Sequence, residues 1–524
     1  MQSSKHLHQH LMLAFKGMSC PKEEESTRLF SYAPVGFTLF RSFNIQNPAQ
    51  VKRLVDDLQR KATESNLPPL LVGLDQEGGQ LMAVGDCTQL PGNMALGATR
   101  SPQLAEKAGR VLGRELAAMG INLDYAPCVD VNINPLNPVV GVRSFSENPT
   151  LVAELSVALI NGIQSQGVAA TVKHFPGHGD TSTDSHLQMP IVNHQLEDTR
   201  VIDIPPFKAA IESGVKLIMT GHLGLPGVVE EEGVPATLSN KIIGGILRKE
   251  LGFNGVVITD AMDMHAIKQG ESLEGDVVKT LQAGVDLLLM TTDPDSHRLA
   301  YDGIQKAISS NKLGADILSA STSRIASLRS WLTTKRQQPG LEVIQCAEHR
   351  QIAREIAEAS VTLVRDRKHL LPLRLPSKAR IAVIVPQPKD LTPADTSSYI
   401  KPQLTESLRE FHNNLDEFII TLDPDYKEIA EIIQAINDYD LVIAGTINAY
   451  SLPGQVNLIH ELNKSCRNLI VAALRLPYDL AKFSEIDEYV CTYSILEPSI
   501  QALSRALFGE ILWKGQLPVT IPEK

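Results

Sequence analysis

Between Lys173 and Pro190 the chain reads KHFPGHGDTSTDSHLQMP, which places three His, two Asp and a Lys directly after an apolar run. So many ionisable groups in one loop are costly to arrange, and such loops are where binding and catalysis concentrate. Spacing alone supports two chemistries. His174, His178, Asp180 and His186 could ligate a metal. Alternatively, Asp184 could orient His186 in the short D-S-H turn, fixing its tautomer and favouring the imidazolium that a general acid requires. A polar loop held by its own hydrogen bonds is the plain alternative. A second segment, Gly255–Met264 (GVVITDAMDM), ends an apolar run on Asp260. That carboxylate could face a cleft or simply cap the next helix, and Asp263 could serve as a first-turn acid on the helix dipole. Gly73–Gly79 (GLDQEGG) sets Asp75 and Glu77 beside paired glycines, which permit close backbone approach to a ligand. Asn132–Pro149 (NINPLNPVVGVRSFSENP) offers Arg143, a forked donor suited to hydroxyls or carboxylates, or else an ordinary surface Arg.

These groups need elements to hold them. Leu70–Leu74, Leu123–Val131, Ala169–Val172, Lys216–Met219, Val256–Ile258 and Asp286–Leu289 read as short buried strands. Helical periodicity covers Leu104–Met119 and Leu151–Ile163, stopped near Gly120 and Gly167. Continuous apolar strands alternating with helices imply a parallel sheet covered by helices. Asp75 comes straight after one strand, Asp130 closes another, Lys173-His174 terminates the next, and His222 and Asp260 follow two more. In a (β/α)8 barrel the C-terminal strand ends meet at one mouth, and that is where such folds keep their chemistry. An open doubly wound sheet would also place polar groups at strand ends. The expected organisation is a (β/α)8 TIM-like barrel over residues 1–332, a polar linker over 333–345, and a smaller α/β/α sandwich domain over 346–524. Strands of the second domain are read at Ile381–Val385, Phe418–Thr421, Leu441–Ala444 and Leu469–Ala473.

With 524 residues the chain exceeds one ordinary core. A formal charge of −11 argues against a general nucleic-acid binder, which needs clustered Lys and Arg. The cysteines (Cys20, Cys87, Cys128, Cys346, Cys466, Cys491) form no CxxC pair, so neither a disulfide framework nor a thiolate zinc site is suggested. No apolar run reaches the ~18 residues that would span a membrane. The first residues lack the apolar core of a signal peptide, so the expected setting is cytoplasmic.

The sequence resembles glycoside hydrolase family 3, and within it the β-N-acetylglucosaminidases of the peptidoglycan-recycling type. The resemblance rests on DQEGG (75–79), NPLNPVVGVRSF (134–145), KHFPGHGDTSTDSH (173–186) and ITDAMDM (258–264), in the family's order. RQIAREIAEASVTLVRDRKHLLPL (350–373) and ALFGEILWKGQLPVTIP (506–522) resemble the start and end of its C-terminal domain. The resemblance implies a retaining exo-acting enzyme that releases terminal β-linked N-acetylglucosamine from peptidoglycan- or chitin-derived oligosaccharides. Asp260 would be the nucleophile, in preference to Asp263, and His186 the acid/base assisted by Asp184. Asp75, Arg143, Lys173 and His174 match sugar-binding positions, and neither a metal nor another cofactor is implied. The partner is then a carbohydrate, with no nucleic acid and no membrane. Relatives of the recycling type commonly follow DQEGG with an Arg-containing stretch, whereas this chain reads Gly79-Gln80-Leu81-Met82-Ala83. Two rival expectations remain in the same cleft: a β-N-acetylglucosaminide phosphorylase and a metal-dependent barrel hydrolase. A catalytically dead sugar-binding scaffold is a further one.

Overall fold

The computed structural model describes residues 9–182, 189–229, 233–263 and 273–523. The first part of the chain builds a sheet of 8 parallel strands. In chain order they are β1 Leu11–Leu13, β2 Gly36–Thr38, β3 Leu71–Leu74, β4 Leu123–Asp124, β5 Ala169–Phe175, β6 Leu217–Thr220, β7 Val256–Thr259 and β8 Leu288–Leu289. β1 pairs with both β2 and β8, and a parallel bridge from Ile258 to Leu287 joins β7 to the start of β8. The strands therefore close on themselves as a (β/α)8 barrel. Met12, Leu71, Leu123, Tyr125, Met219 and Leu289 fill its interior as one buried cluster, so the barrel is a packed core rather than a pore.

The helices between strands start with a shared device. Asn47 accepts from Gln50 N–H ahead of α1 (Pro48–Glu64), Ser101 from Leu104 N–H ahead of α2 (Pro102–Ala118), and Asn148 from Thr150 and Leu151 N–H ahead of α3 (Pro149–Ser165). Each cap is followed by Pro, whose fixed φ and missing N–H suit the first helical position. A side-chain cap of this kind stabilises a helix by ~1 kcal/mol. The expected strand at Leu123–Val131 is shorter than its apolar run: only Leu123–Asp124 join the ladder. Pro127 has no N–H to offer a neighbour, and Cys128 meets Lys173 only in a single parallel bridge.

After the barrel, α4 (Ala315–Lys335) and α5 (Ala347–Ser360) lead into a 6-stranded sheet. Its strands are β9 Thr362–Asp366, β10 Ile381–Pro386, β11 Leu415–Ile420, β12 Leu441–Thr446, β13 Leu469–Ala473 and β14 Glu488–Cys491. The spatial order is β9-β14-β13-β12-β10-β11, with β9 antiparallel and the others parallel. Alternate residues feed two separate cores. Ile384, Val442 and Val471 enter one, and Val383, Ile443 and Ile470 the other. Both faces are covered, as in an α/β/α sandwich.

The two parts are sewn together at several points. Ser146 Oγ and Glu147 N–H donate to Pro518 O, Arg100 donates to Leu517 O, and Gln516 N–H donates to Ala98 O. His349 of α5 meets the buried carboxylate of Glu115 on α2 at 2.8 Å. No described helix is long and apolar enough to cross a membrane, and all the cysteines are free thiols.

Candidate active site

A cavity of about 710 Å³ opens at the C-terminal ends of the barrel strands. Asp75 follows β3, Arg143 comes from the short turn Gly141–Arg143 after β4, Lys173 and His174 lie near the end of β5, and Asp260 follows β7; all five line the cavity. Asp184 and His186 lie outside the described residues. Tyr125, Met219 and Leu289 from the barrel's packed interior form the cavity floor.

Glu77 organises one side. It accepts Arg143 Nε at 2.9 Å and a second guanidinium nitrogen at 2.7 Å, and Lys173 Nζ lies 2.7 Å away. Lys173 also bonds Asp75. Glu77, Arg143 and Lys173 are almost wholly buried. Burial alone would raise the Glu77 carboxyl, yet Arg143 and Lys173 outweigh it and hold it at about 2. Burial would depress the Lys173 ammonium, but Asp75 and Glu77 keep it above the usual lysine range. Two cations and two carboxylates thus form a compensated cluster, the condition for charges to survive burial. Asp75, 30% exposed at its side chain, is the member that reaches the open space.

Asp130, at the end of the β4 run, ties the histidine-rich loop together. Its Oδ1 accepts the N–H groups of His174 (3.1 Å) and His178 (2.7 Å), and its Oδ2 accepts His174 Nδ1 (2.7 Å) and Cys128 Sγ (3.2 Å). With Nδ1 donating to Asp130, the tautomer leaves His174 Nε2 for other partners. His178 donates or accepts at Thr181 Oγ1, 2.7 Å away, and burial together with His174 pushes its imidazole down to about 4. It is neutral near pH 7. Gly179 passes so close to Val131 that a Cβ there would sit 1.8 Å from Val131 O, so the loop's path requires glycine at that point.

Of the metal-ligand set expected in this loop, His174 turns to Asp130, His178 to Thr181 and Asp180 to His194, while His186 is outside the described residues. Cys128, Asp130 and His174 do bring ligand atoms within 4.8 Å of one another. Burial raises the Cys128 thiol far above its ordinary range, and both neighbours already hydrogen-bond to Asp130. The cluster is complete as a hydrogen-bonded unit.

The two carboxylates of TDAMD separate clearly. Asp263 accepts Thr291 N–H and is bonded by Thr291 Oγ1, which locks it to the segment after β8. Asp260 lines the cavity, with Oδ1 accepting the Ala261 N–H at 2.8 Å. His222 supports this turn from below through Ala261 O at 3.0 Å.

Sequence reasoning did not anticipate the outer wall. Residues 390–396 and Tyr399 of the second domain line the same cavity, opposite Arg41, whose guanidinium lies 3.9 Å from the Tyr399 ring centre. The wall is fastened to the barrel through Gln80. Its carbonyl accepts Thr396 N–H at 3.0 Å, its amide donates to Ala394 O at 3.1 Å, and its Oε1 is bonded by Arg475, which also holds Asp395 at 3.0 Å. Gln80, just after the DQEGG motif, is therefore an anchor for the second domain. Nothing in the local sequence around Gln80 signals a partner so distant in the chain.

The profile of the glycosyl hydrolase family 3 N terminal domain matches residues 6–328, and that of the family's C-terminal domain matches residues 361–524. A beta-hexosaminidase A from Pseudoalteromonas piscicida is 31% identical over 95% of this chain and 91% of its own length. A beta-hexosaminidase from Nitrosomonas eutropha is 36% identical over 51% of this chain and 76% of its own. The structure of a glycoside hydrolase family 3 beta-N-acetylglucosaminidase from Paenibacillus sp. superposes with a TM-score of 0.93 at 33% identity, covering 100% of both chains.

Proposed function

The chain belongs to glycosyl hydrolase family 3 and is a glycoside hydrolase, and from that premise we propose that it is a retaining exo-β-N-acetylglucosaminidase. The observation that carries the reading is the shared cavity: Asp260 opens into the same space as Asp75, Arg143, Lys173 and His174. Asp260 attacks the anomeric carbon as the glycosidic C–O bond breaks, and the leaving oxygen takes a proton from His186. A water then gives a proton back to His186 and displaces the Asp260 carboxylate. Two inversions give net retention. Asp184 holds the imidazole's tautomer. Asp75, with Lys173 and Arg143 behind it, and His174 through Nε2 bind the hydroxyls of the terminal sugar. The substrates that fit are oligosaccharides of peptidoglycan or chitin origin with a β-linked N-acetylglucosamine at the non-reducing end.

The test is nitrophenol release from 4-nitrophenyl β-N-acetylglucosaminide and from the β-glucoside, each with and without inorganic phosphate. Release from the N-acetyl substrate without phosphate is the expected result. A requirement for phosphate, with sugar 1-phosphate as product, would instead make the chain a phosphorylase. Preference for the glucoside would overturn the reading of the sugar.

A further inference from the structure

Asp184 and His186 fall between Ser182 and Met189, in the segment that lies outside the described residues. Both of its flanks are described, and one side chain joins them. His194, on the returning side, places Nε2 3.0 Å from Asp180 Oδ2 on the outgoing side and Nδ1 3.0 Å from Asp203 Oδ2. Asp203 sits at the junction between the helices Leu196–Ile202 and Ile204–Glu212 and is nearly inaccessible, with a side-chain exposure of 2%. It is also packed against the outgoing loop itself: a Cβ on Gly177 would fall 2.5 Å from Asp203 Cβ.

Both imidazole nitrogens therefore face carboxylates, an arrangement that calls for two N–H donors and hence the imidazolium. The hydrogen bond to Asp203 raises the proton affinity of His194 above its ordinary value. Each flank has an independent backbone tether as well. Asn137 Nδ2 donates to His178 O and Gly179 O, and Val192 N–H donates to Gly224 O, which fixes where the bridge is made. Asp180, His194 and Asp203 are not among the residues that line the cavity.

We propose that His194 is a positioning residue for proton transfer, its imidazole tying the outgoing flank of the Asp184–His186 segment, through Asp180, to the returning flank and to Asp203. The inference rests on the assignment of His186 as acid/base given above. A carboxylate–imidazolium–carboxylate bridge resists displacement in a way one neutral hydrogen bond does not. It thereby fixes the spacing of the two points from which the catalytic segment departs and returns. Misplacing an acid by about an ångström lowers the protonation step by about two orders of magnitude.

Leaving-group dependence isolates that step. Chitobiose needs its leaving oxygen protonated, whereas 2,4-dinitrophenyl β-N-acetylglucosaminide expels a stable anion without help. In His194→Gln and Asp180→Asn, kcat/KM for chitobiose is expected to fall by about 10- to 100-fold, within the range general acid catalysis supplies. The dinitrophenyl substrate should fall by less than about 3-fold, and the inhibition constant of N-acetylglucosamine should hold. The second variant is included because Asp180 is partly exposed and its loss leaves Asp203 paired. Equal losses on both substrates in both variants would mean that the bridge only supports the fold, and would overturn the proposal. His186→Ala serves as the reference. If it shows leaving-group dependence and the bridge variants do not, the positioning role alone fails. If His186→Ala itself shows none, the acid/base assignment fails and takes the inference with it.

Discussion

Glu77 illustrates how much of the site is electrostatic. Its carboxylate neutralises Arg143 and Lys173 where solvent does not reach, so Glu77→Gln leaves two buried cations short of a partner. The expected cost is about 3–5 kcal/mol of stability, read as a fall in the denaturation midpoint, and sugar binding should weaken with it. Asp260→Ala should lower turnover by about 10⁴-fold or more while melting is retained; near-normal turnover of a folded variant would remove Asp260 from the mechanism. His178 makes a pH prediction. It titrates at about 4 in the folded chain and near 6.5 when unfolded, so the unfolded state binds more protons between those values. Its share of stability, ~3 kcal/mol, is therefore full above about 6.5 and lost as pH falls towards 4. Asp479, which burial pushes up to about 6, acts in the opposite sense over much of that window. The prediction is accordingly for the difference between the wild-type protein and His178→Gln: the gap in unfolding free energy should shrink as pH is lowered from 7 to 4. At this scale Asp75, Lys173, His174 and Asp260 were legible from their places at strand ends and Arg143 only through the family resemblance, and all five line one cavity. Glu77, Asp130 and His194 were not assigned roles, because a charge's partner across the barrel leaves no local pattern.

Among the elements, long apolar runs with clear stops were readable and short ones were not. α2 and α3 are announced by periodicity and ended by Gly120 and Gly167, both at positive φ. β1 and β2 have only three residues each, too few for any periodicity, and only the closed ring gives them partners on both sides. β9 and β14 escaped for another reason. β9 is only partly buried beyond Thr362, and β14 is a short run containing Glu488. The histidine loop is an element in its own right, since its shape depends on the crossing of Gly179 over Val131. Gly179→Ala forces a displacement of more than an ångström against backbone. The expected outcome is loss of most activity together with a lower melting temperature; a variant with wild-type kinetics would show that the crossing is dispensable.

Across the whole molecule, the site belongs to both domains. The sequence showed that a second α/β unit follows the barrel, but not that its residues 390–396 wall the cavity, because that depends on how two folded surfaces meet. Arg475 is the buried pin of the meeting, bonded to Gln80 and Asp395. Arg475→Met would leave Asp395 buried without its cation, so thermal stability should fall, and kcat/KM for chitobiose should drop by about 10-fold as the wall loosens. Unchanged kinetics would separate the second domain from the reaction. The floor of the cavity has a wider consequence. Tyr125, Met219 and Leu289 close it against the barrel interior, so a polymer cannot thread through the barrel, and under the exo-action proposed above it presents an end. Such an enzyme counts chain ends, not mass. At a fixed weight of chitooligosaccharide, doubling the chain length should halve the initial release of sugar, and the enzyme would depend on whatever endo-acting activity multiplies the ends it is offered.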